Sequence, residues 1–195
     1  MTGIHLKPTT ICSMTLIPPS RRNTGFARAG SSLAFTLHSK LQMNYWLMKS
    51  EPAVYGIADL EQDKETLWDG VRNYQARNFL RSMQVGDRSF FYHSNTTPLG
   101  IVGLMQVVQT DVVDPSQFDP QSEYFDAKSQ PDAPRWQTVK VAFVEQFPQL
   151  ISLDWLRQTF SPEELWVVRQ GNRLSVMPVP EAVAERLLQA VGSRG

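Results

Sequence analysis

Four polar clusters in the sequence stand beside aromatic residues, and each falls at the end of a predicted strand or helix. A base that has left its strand needs flat apolar faces for stacking and a few fixed donors and acceptors along its edge. The clusters therefore predict a site that holds one nucleic-acid base. They are Trp46 with Lys49-Ser50-Glu51, the segment from Trp68 to Asn78, the run from Tyr92 to Asn95, and Arg173-Leu174-Ser175.

The side chains in these clusters divide into groups with different roles in such a site. Aromatic rings supply stacking faces, and stacking contributes about 1 to 3 kcal/mol per base. Hydroxyl, amide and imidazole groups contact the base edge, whereas basic side chains hold phosphates. The candidates for the base pocket are Trp46, Ser50, Trp68, Val71, Asn73, Tyr74, Tyr92, His93 and Ser94. The candidates for phosphate or backbone contact are Lys49, Arg72, Arg77 and Arg173.

Several candidates also have a structural interpretation that the sequence leaves open. Trp46 alternates with Tyr45 on a short strand, so at least one of the two must face the core. Asn73 stands where it can cap a helix, and His93 lies on a strand where a hydrogen-bonded barrel residue is also expected. The arginines that can instead pair with nearby carboxylates are Arg72, Arg77 and Arg173.

Cysteine and histidine are too few for a disulfide framework or a zinc site. The chain has one cysteine, Cys12, and three histidines, His5, His38 and His93. A lone cysteine has no partner within the chain for a disulfide, and a structural zinc ion needs about four ligands of these types. The sequence contains no run of about 18 apolar residues, so it predicts no membrane span. We expect neither a metal nor a cofactor.

Charge is unevenly distributed along the chain. Residues 1–42 contain five basic residues and no acidic ones, whereas the remaining 153 residues contain 14 basic and 19 acidic ones, a net charge of −5. An acid-free segment rich in Ser, Thr and Arg is typical of a transit peptide, and a disordered extension before a start at Met43 is the alternative. A transit peptide would direct the protein to an organelle, whereas a start at Met43 predicts a cytoplasmic protein. A nuclear location is a further alternative. A net charge of −5 disfavours a broad, sequence-independent duplex binder.

The elements that must position the candidates are short strands with helices between them. The pattern predicts an α+β domain over residues 43–195, a small, partly open β-barrel with flanking helices. The predicted strands are Tyr45–Ser50, Arg88–Ser94, Gly100–Thr110, Trp136–Phe147 and Arg173–Val179, the second and third forming a hairpin. The predicted helices are Ile57–Leu60, one capped by Asn73, one over Leu153–Thr159 capped by Ser152, a helical turn opened by Ser161–Glu164, and one from Pro180 to Val191. Asp114–Pro134 is predicted as a long loop.

The order of the motifs resembles the EVE domain family. The matching stretches are YWLMKSEP, WDGVRNYQARN, FYHS, GIVG, PRW and RLSV, and Met177 stands where the family commonly has Gln. The resemblance implies a PUA-like barrel, related to the YTH and ASCH domains, that reads modified bases in nucleic acid. It also places Ser50, beside Lys49, where the related YTH reader contacts its base. We therefore expect a monomeric, non-enzymatic reader of one methylated adenine or 5-modified cytosine in DNA or RNA.

Two other functions stay open at this point. A small hydrolase could use Ser94 or Ser50 as nucleophile, with His93 as base and Glu51 or Asp69 as the orienting acid. Adjacent residues on a strand point to opposite faces, so His93 and Ser94 cannot form this pair without a bulge, whereas Ser50 with His93 is geometrically open. A protein-interaction module without a nucleic-acid ligand is the other alternative.

Deletion of residues 2–42 is expected to leave the melting temperature and nucleic-acid binding unchanged, because this segment contains neither predicted core nor predicted chemistry. Thermal melts and titrations of the full and shortened chains check this. A large loss of stability would show that the segment is part of the folded domain.

Overall fold

The computed structural model of the protein describes residues 43–192, which form an α+β domain; residues 1–42, with the predicted extension, lie outside the described part. None of the helices within residues 43–192 is long and apolar enough to span a membrane. The strands are β1 Tyr45–Ser50, β2 Glu65–Leu67, β3 Arg88–His93, β4 Gly100–Val113, β5 Gln137–Ser152 and β6 Val176–Val179. The helices are α1 Ile57–Asp63, α2 Tyr74–Ser82, α3 Leu153–Thr159 and α4 Glu181–Gly192, with 3-10 turns at Pro115–Phe118 and Trp166–Val168.

The six strands form one mixed sheet in the order β2-β5-β4-β3-β1-β6, and β2 and β6 are its two edges. The sheet does not close, which agrees with the partly open barrel predicted from the sequence pattern and with the PUA-like fold that the resemblance implies. Strand β1 pairs with β3 in parallel, and the other neighbouring strands are antiparallel. The parallel register pairs Ser50 with His93, so both strands end on the same side of the sheet.

Alternate residues of the central strands pack in two separate hydrophobic cores, one on each face of the sheet. On β1, Leu47 belongs to one core, whereas Trp46 and Met48 belong to the other. On β3, Phe90 and Phe91 divide between the cores in the same way. Successive side chains of a strand point to opposite faces, and the helices cover both.

Local signals in the sequence predict most of these elements correctly. The hairpin of β3 and β4 is confirmed, as are the side-chain caps of α2 by Asn73 and of α3 by Ser152. Several expectations were wrong in extent: α1, β4 and β5 continue beyond Leu60, Thr110 and Phe147. The last strand contains only Val176–Val179, and Ser161–Glu164 is a turn without a helix. Strand β2 was not predicted, because only its pairing with β5 makes these three residues a strand.

The long loop between β4 and β5 is attached to the rest of the domain through the carboxylate of Asp114. This side chain is 2% exposed, and it accepts hydrogen bonds from the backbone N–H of Gly70 at 3.1 Å and from the guanidinium of Arg72 at 2.7 Å. The same guanidinium donates to the carbonyl oxygen of Tyr124 at 2.6 Å and to the hydroxyl of Ser116 at 2.8 Å. Arg72 therefore holds the loop at Ser116, near its start, and at Tyr124, near its middle.

A buried amide holds the second half of the loop. Gln117 is fully buried, and its Nε2 donates to the carbonyl oxygens of Asp114 and Trp136 at 2.7 and 2.8 Å. Its Oε1 accepts from the backbone N–H groups of Arg135 and Trp136 and from the hydroxyl of Ser129. Both donors and both acceptor directions of the amide are thus used, so the loop is irregular in conformation but fixed in position.

Substitution of Arg72 by Gln is expected to lower the free energy of unfolding by about 3 kcal/mol, because it leaves a buried carboxylate without its cationic partner. Amide hydrogen exchange of residues 115–130 is expected to accelerate. Chemical denaturation and exchange mass spectrometry measure the two effects.

The matched control is Arg186→Gln, which removes an exposed pair with Glu164 at 3.5 Å and is expected to change stability little. Equal effects of both substitutions would contradict a special role of Arg72 in holding the loop.

Candidate nucleic-acid interface

A cavity of about 730 Å³ lies where the sheet stays open. Its lining includes Thr66 and Leu67 of the edge strand β2, and Ser175, which directly precedes the other edge strand β6. Two residues of the long loop, Glu123 and Tyr124, complete one wall. Eight predicted site residues also line this cavity, namely Lys49, Ser50, Trp68, Val71, Arg72, Asn73, Ser94 and Arg173.

Trp68 forms a fixed aromatic wall of the cavity. Its side chain is 8% exposed and meets the ring of Phe91 edge-on, with 5.4 Å between ring centroids. Its backbone N–H donates to the carbonyl oxygen of Val139, and its own carbonyl accepts from the hydroxyl of Thr138. Val71 packs in the same core and adds apolar surface beside it. The part of Trp68 that borders the cavity is therefore fixed in position before a ligand binds.

Two serine hydroxyls line the cavity where β1 and β3 end. The hydroxyl of Ser50 donates to the carbonyl oxygen of Tyr55 at 2.7 Å. The hydroxyl and the backbone N–H of Ser94 both donate to the carbonyl oxygen of Ser50, at 3.2 and 2.8 Å. Since each hydroxyl proton is engaged, the hydroxyl oxygens remain available to the cavity as acceptors.

Asn73 both caps a helix and lines the cavity. Its side-chain oxygen accepts from the backbone N–H groups of Gln75 and Ala76, at 2.9 and 3.0 Å, and so begins α2. Its Nδ2 group has no hydrogen-bond partner among residues 43–192. Capping and ligand contact are therefore compatible roles for this residue.

Basic and acidic side chains are equal in number in the cavity lining, three of each: Lys49, Arg72 and Arg173 against Glu51, Asp69 and Glu123. Burial, followed by repulsion from Asp114, raises the pKa of the Asp69 carboxyl. No group of three potential metal ligands occurs within the described part of the chain. The cavity thus favours a ligand without a large net charge.

The basic residues of the cavity differ in how far they are engaged. Every nitrogen of the Arg72 guanidinium donates to the protein, so the predicted phosphate contact gives way to a structural role. Lys49 donates to the carbonyl oxygen of Asn172 at 3.4 Å and lies 5.9 Å from the ring centre of Tyr92, and burial lowers its pKa. Arg173 is exposed and, within residues 43–192, forms no salt bridge of the kind expected from the sequence.

Tyr124 is a cavity residue that the sequence analysis missed. Its ring packs against Gly70, whose φ of +74° is one that L side chains rarely adopt, and a Cβ at that position would lie 2.8 Å from the ring. The guanidinium of Arg72 lies 5.6 Å from the centre of the same ring. Tyr124 belongs to a loop without periodicity, and the glycine in the Trp68-Asp69-Gly70 turn was the only local signal of a close approach.

Five predicted residues do not line this cavity: Trp46, Tyr74, Arg77, Tyr92 and His93. Trp46 is buried, and its indole N–H donates to the Asp87 carboxylate at 2.9 Å, so packing replaces its predicted pocket role. Tyr74 stacks on Trp136 with ring centroids 5.0 Å apart, and the Arg77 guanidinium lies 4.8 Å from the Tyr74 ring centre. These two residues therefore form a group with Trp136 outside the cavity lining, in which Tyr74 is exposed.

The remaining two residues are engaged within the fold. Tyr92 is 3% exposed and belongs to a hydrophobic core. The Nε2 atom of His93 accepts a hydrogen bond from the backbone N–H of Ile57 at 3.2 Å, at the start of α1, and burial lowers the pKa of His93. The Ser50 hydroxyl donates to Tyr55, so the Ser50–His93 pair required by the hydrolase hypothesis is not formed.

Met177, which departs from the pattern of the EVE family, also lies away from the cavity lining. It is fully buried in a hydrophobic core, opposite Leu47 of β1, and its sulfur lies 3.7 Å from Nδ2 of Asn172. The departure is therefore a change within the core.

Comparisons with known proteins agree with the fold. The sequence profile of the EVE domain matches residues 44–190. Thymocyte nuclear protein 1 of Rattus norvegicus is 40% identical over 178 residues, which cover 82% of this chain and 75% of the relative. A crystal structure of a Pseudomonas syringae protein matches with a TM-score of 0.72 and 45% identity, covering 75% of this chain and 98% of that one.

A further structure is informative through its bound molecule. The human THYN1 protein in complex with 5-methylcytosine-containing DNA matches with a TM-score of 0.70 and 38% identity, covering 75% of this chain and 96% of that one. Sequence profile, relatives and structures agree, and the chain belongs to the EVE domain family.

Proposed function

We propose that this domain binds nucleic acid and takes one modified base into the cavity between the edges of its sheet. The observation that carries this proposal is the cavity itself, which has a volume of about 730 Å³ and a preformed tryptophan wall. A pocket of this kind, mostly fixed before binding and edged by a few polar groups, is suited to a flat heterocycle.

The first ligand to test is 5-methylcytosine in DNA. The similar human THYN1 protein forms a complex with DNA containing this base. In the present cavity, the apolar surface of Trp68 and Val71 suits the added methyl group. The acceptor oxygens of Ser50 and Ser94 and the donor group of Asn73 suit the edge of a base. Methylated adenine and RNA are the alternatives to test beside it.

The charge distribution supports recognition of one nucleotide rather than broad binding to the backbone. Basic and acidic side chains are equal in number around the cavity, so the base itself gains little from long-range attraction. Non-specific duplex binding depends on many phosphate contacts, which a chain with a net charge of −5 over residues 43–195 does not favour. We further propose that the protein binds as a monomer.

The proposed activity is non-enzymatic. The Ser50 hydroxyl and the His93 imidazole have backbone partners, which leaves the hydrolase hypothesis without its nucleophile and base in contact. The name of the similar relatives, thymocyte nuclear protein, favours the nucleus over the cytoplasm as the compartment to examine first.

Full-length protein is expected to bind DNA with a single 5-methylcytosine more tightly than the unmodified strand. Fluorescence polarisation with single-stranded and duplex oligonucleotides measures this, with N6-methyladenine and RNA versions in the same panel. Equal affinity across the panel would support the protein-interaction alternative and contradict the proposal.

Substitution of Trp68 by Ala is expected to reduce the preference for the modified base about tenfold or more, because it removes the stacking face. Trp68→Phe keeps an aromatic face and is expected to restore part of the preference. The control is Trp155→Ala on α3, a partly buried tryptophan that does not line the cavity. Unchanged preference in folded Trp68→Ala would show that Trp68 is not the stacking residue.

A further inference from the structure

A second, smaller cavity of about 270 Å³ adjoins the first. Both cavities are lined by Lys49, Ser94 and Arg173, so these residues separate the two spaces. The second cavity is bounded by Arg157 on α3 and by Arg169 in the loop before β6. It lies beside the base cavity without being part of it.

The lining of the second cavity contains four basic residues, Lys49, Arg157, Arg169 and Arg173, and no carboxylate. This contrasts with the first cavity, where basic and acidic residues are equal in number. Concentration of one sign of charge in a small concave space creates a local potential that attracts the opposite charge. The second cavity is therefore suited to an anion.

The four basic side chains keep most of their donors available. Arg157 lies 3.9 Å from Asp154, and both side chains are largely exposed. Arg169 uses its Nε in a bond of 2.6 Å to the carbonyl oxygen of Pro162. Its two terminal nitrogens have no hydrogen-bond partner among residues 43–192. Arg173 forms no salt bridge or hydrogen bond within the described part of the chain.

Contacts with neighbouring residues restrain Arg169 and the loop that carries Arg169 and Arg173. The Arg169 guanidinium lies 4.5 Å from the ring centre of Trp166, which restrains it over an aromatic face. Asn172 donates to the carbonyl oxygen of Trp166 and accepts from the backbone N–H of Leu174, so the loop that carries Arg169 and Arg173 is internally braced.

One neutral donor also borders the space. Burial raises the pKa of Tyr92 to about 12, so its phenol stays protonated at neutral pH. A protonated phenol can donate a hydrogen bond to an anionic oxygen.

We propose that the second cavity binds the phosphodiester group that flanks the base held in the first cavity. This inference rests on the proposed function, because it places the base in the first cavity and its backbone phosphate in the second. The two cavities lie on either side of Lys49, Ser94 and Arg173. Guanidinium groups present paired donors that match phosphate oxygens, and charge-assisted bonds of this kind are among the strongest. Tyr92, predicted as part of the base pocket, then acts on the backbone, and Lys49 keeps its predicted role as a backbone contact.

A double-mutant cycle with a chemically neutralised phosphate tests the proposal. The probes are oligonucleotides with one 5-methylcytosine, in which a methylphosphonate replaces either the 5′ or the 3′ flanking phosphate. With full-length wild-type protein, one of the two replacements is expected to weaken binding about tenfold. The double variant Arg157→Gln, Arg169→Gln is expected to bind the unreplaced strand about tenfold more weakly and to lose this sensitivity.

Salt titration gives an independent readout. Each lost phosphate contact is expected to reduce the slope of log affinity against log salt by about 0.7 on a single strand. Arg186→Gln is the matched control, an arginine outside both cavities, and it is expected to leave slope and affinity unchanged. Circular dichroism verifies that the variants are folded.

The possible outcomes separate the two proposals. Loss of affinity in the double variant with the preference for the modified base retained supports the phosphate site. Full sensitivity to methylphosphonate in the double variant, or none in the wild type, would overturn the phosphate site while leaving the base reader intact.

Discussion

The carboxylate of Asp114 is nearly buried, so it must be paired, and its partners determine how the cavity is assembled. It accepts from Gly70 and Arg72 on one side and from Ser116 in the long loop on the other. The segment after β2 and the loop after β4 are distant in sequence, and this carboxylate joins them. Trp68 and Tyr124 can form two walls of one space because these segments are held together.

The topology of the sheet supplies the other walls. A parallel pair cannot be joined by a tight turn, so the connection from β1 to β3 must be a crossover. That crossover contains α1, β2 and α2, together with the residues from Trp68 to Asn73 that line the cavity. The same pairing ends β1 and β3 side by side, which brings the serines at 50 and 94 together. Crossover and strand ends therefore meet at the opening of the sheet.

Features with local signals could be predicted from the sequence. The caps at Asn73 and Ser152 fix helix starts, and the turn after His93 fixes a hairpin. Features decided by tertiary pairing could not, which is why β2 and Tyr124 were missed. The alternation along β1 indicates that neighbouring residues face opposite sides of the sheet, but it does not indicate which side holds a cavity. Trp46 was therefore assigned to the pocket, although the carboxylate of Asp87 fixes it in the core.

The cap at Asn73 has a chemical consequence beyond starting a helix. Two backbone N–H groups fix the side-chain oxygen, so the amide cannot exchange its oxygen and nitrogen positions without losing both bonds. The group left for a bound molecule is then always the NH₂ end. A ligand with a lone pair at that point, such as a ring nitrogen or an exocyclic carbonyl, is matched, whereas an amino group there is rejected. The backbone N–H groups at the start of α2 therefore determine that Asn73 acts as a donor in this contact.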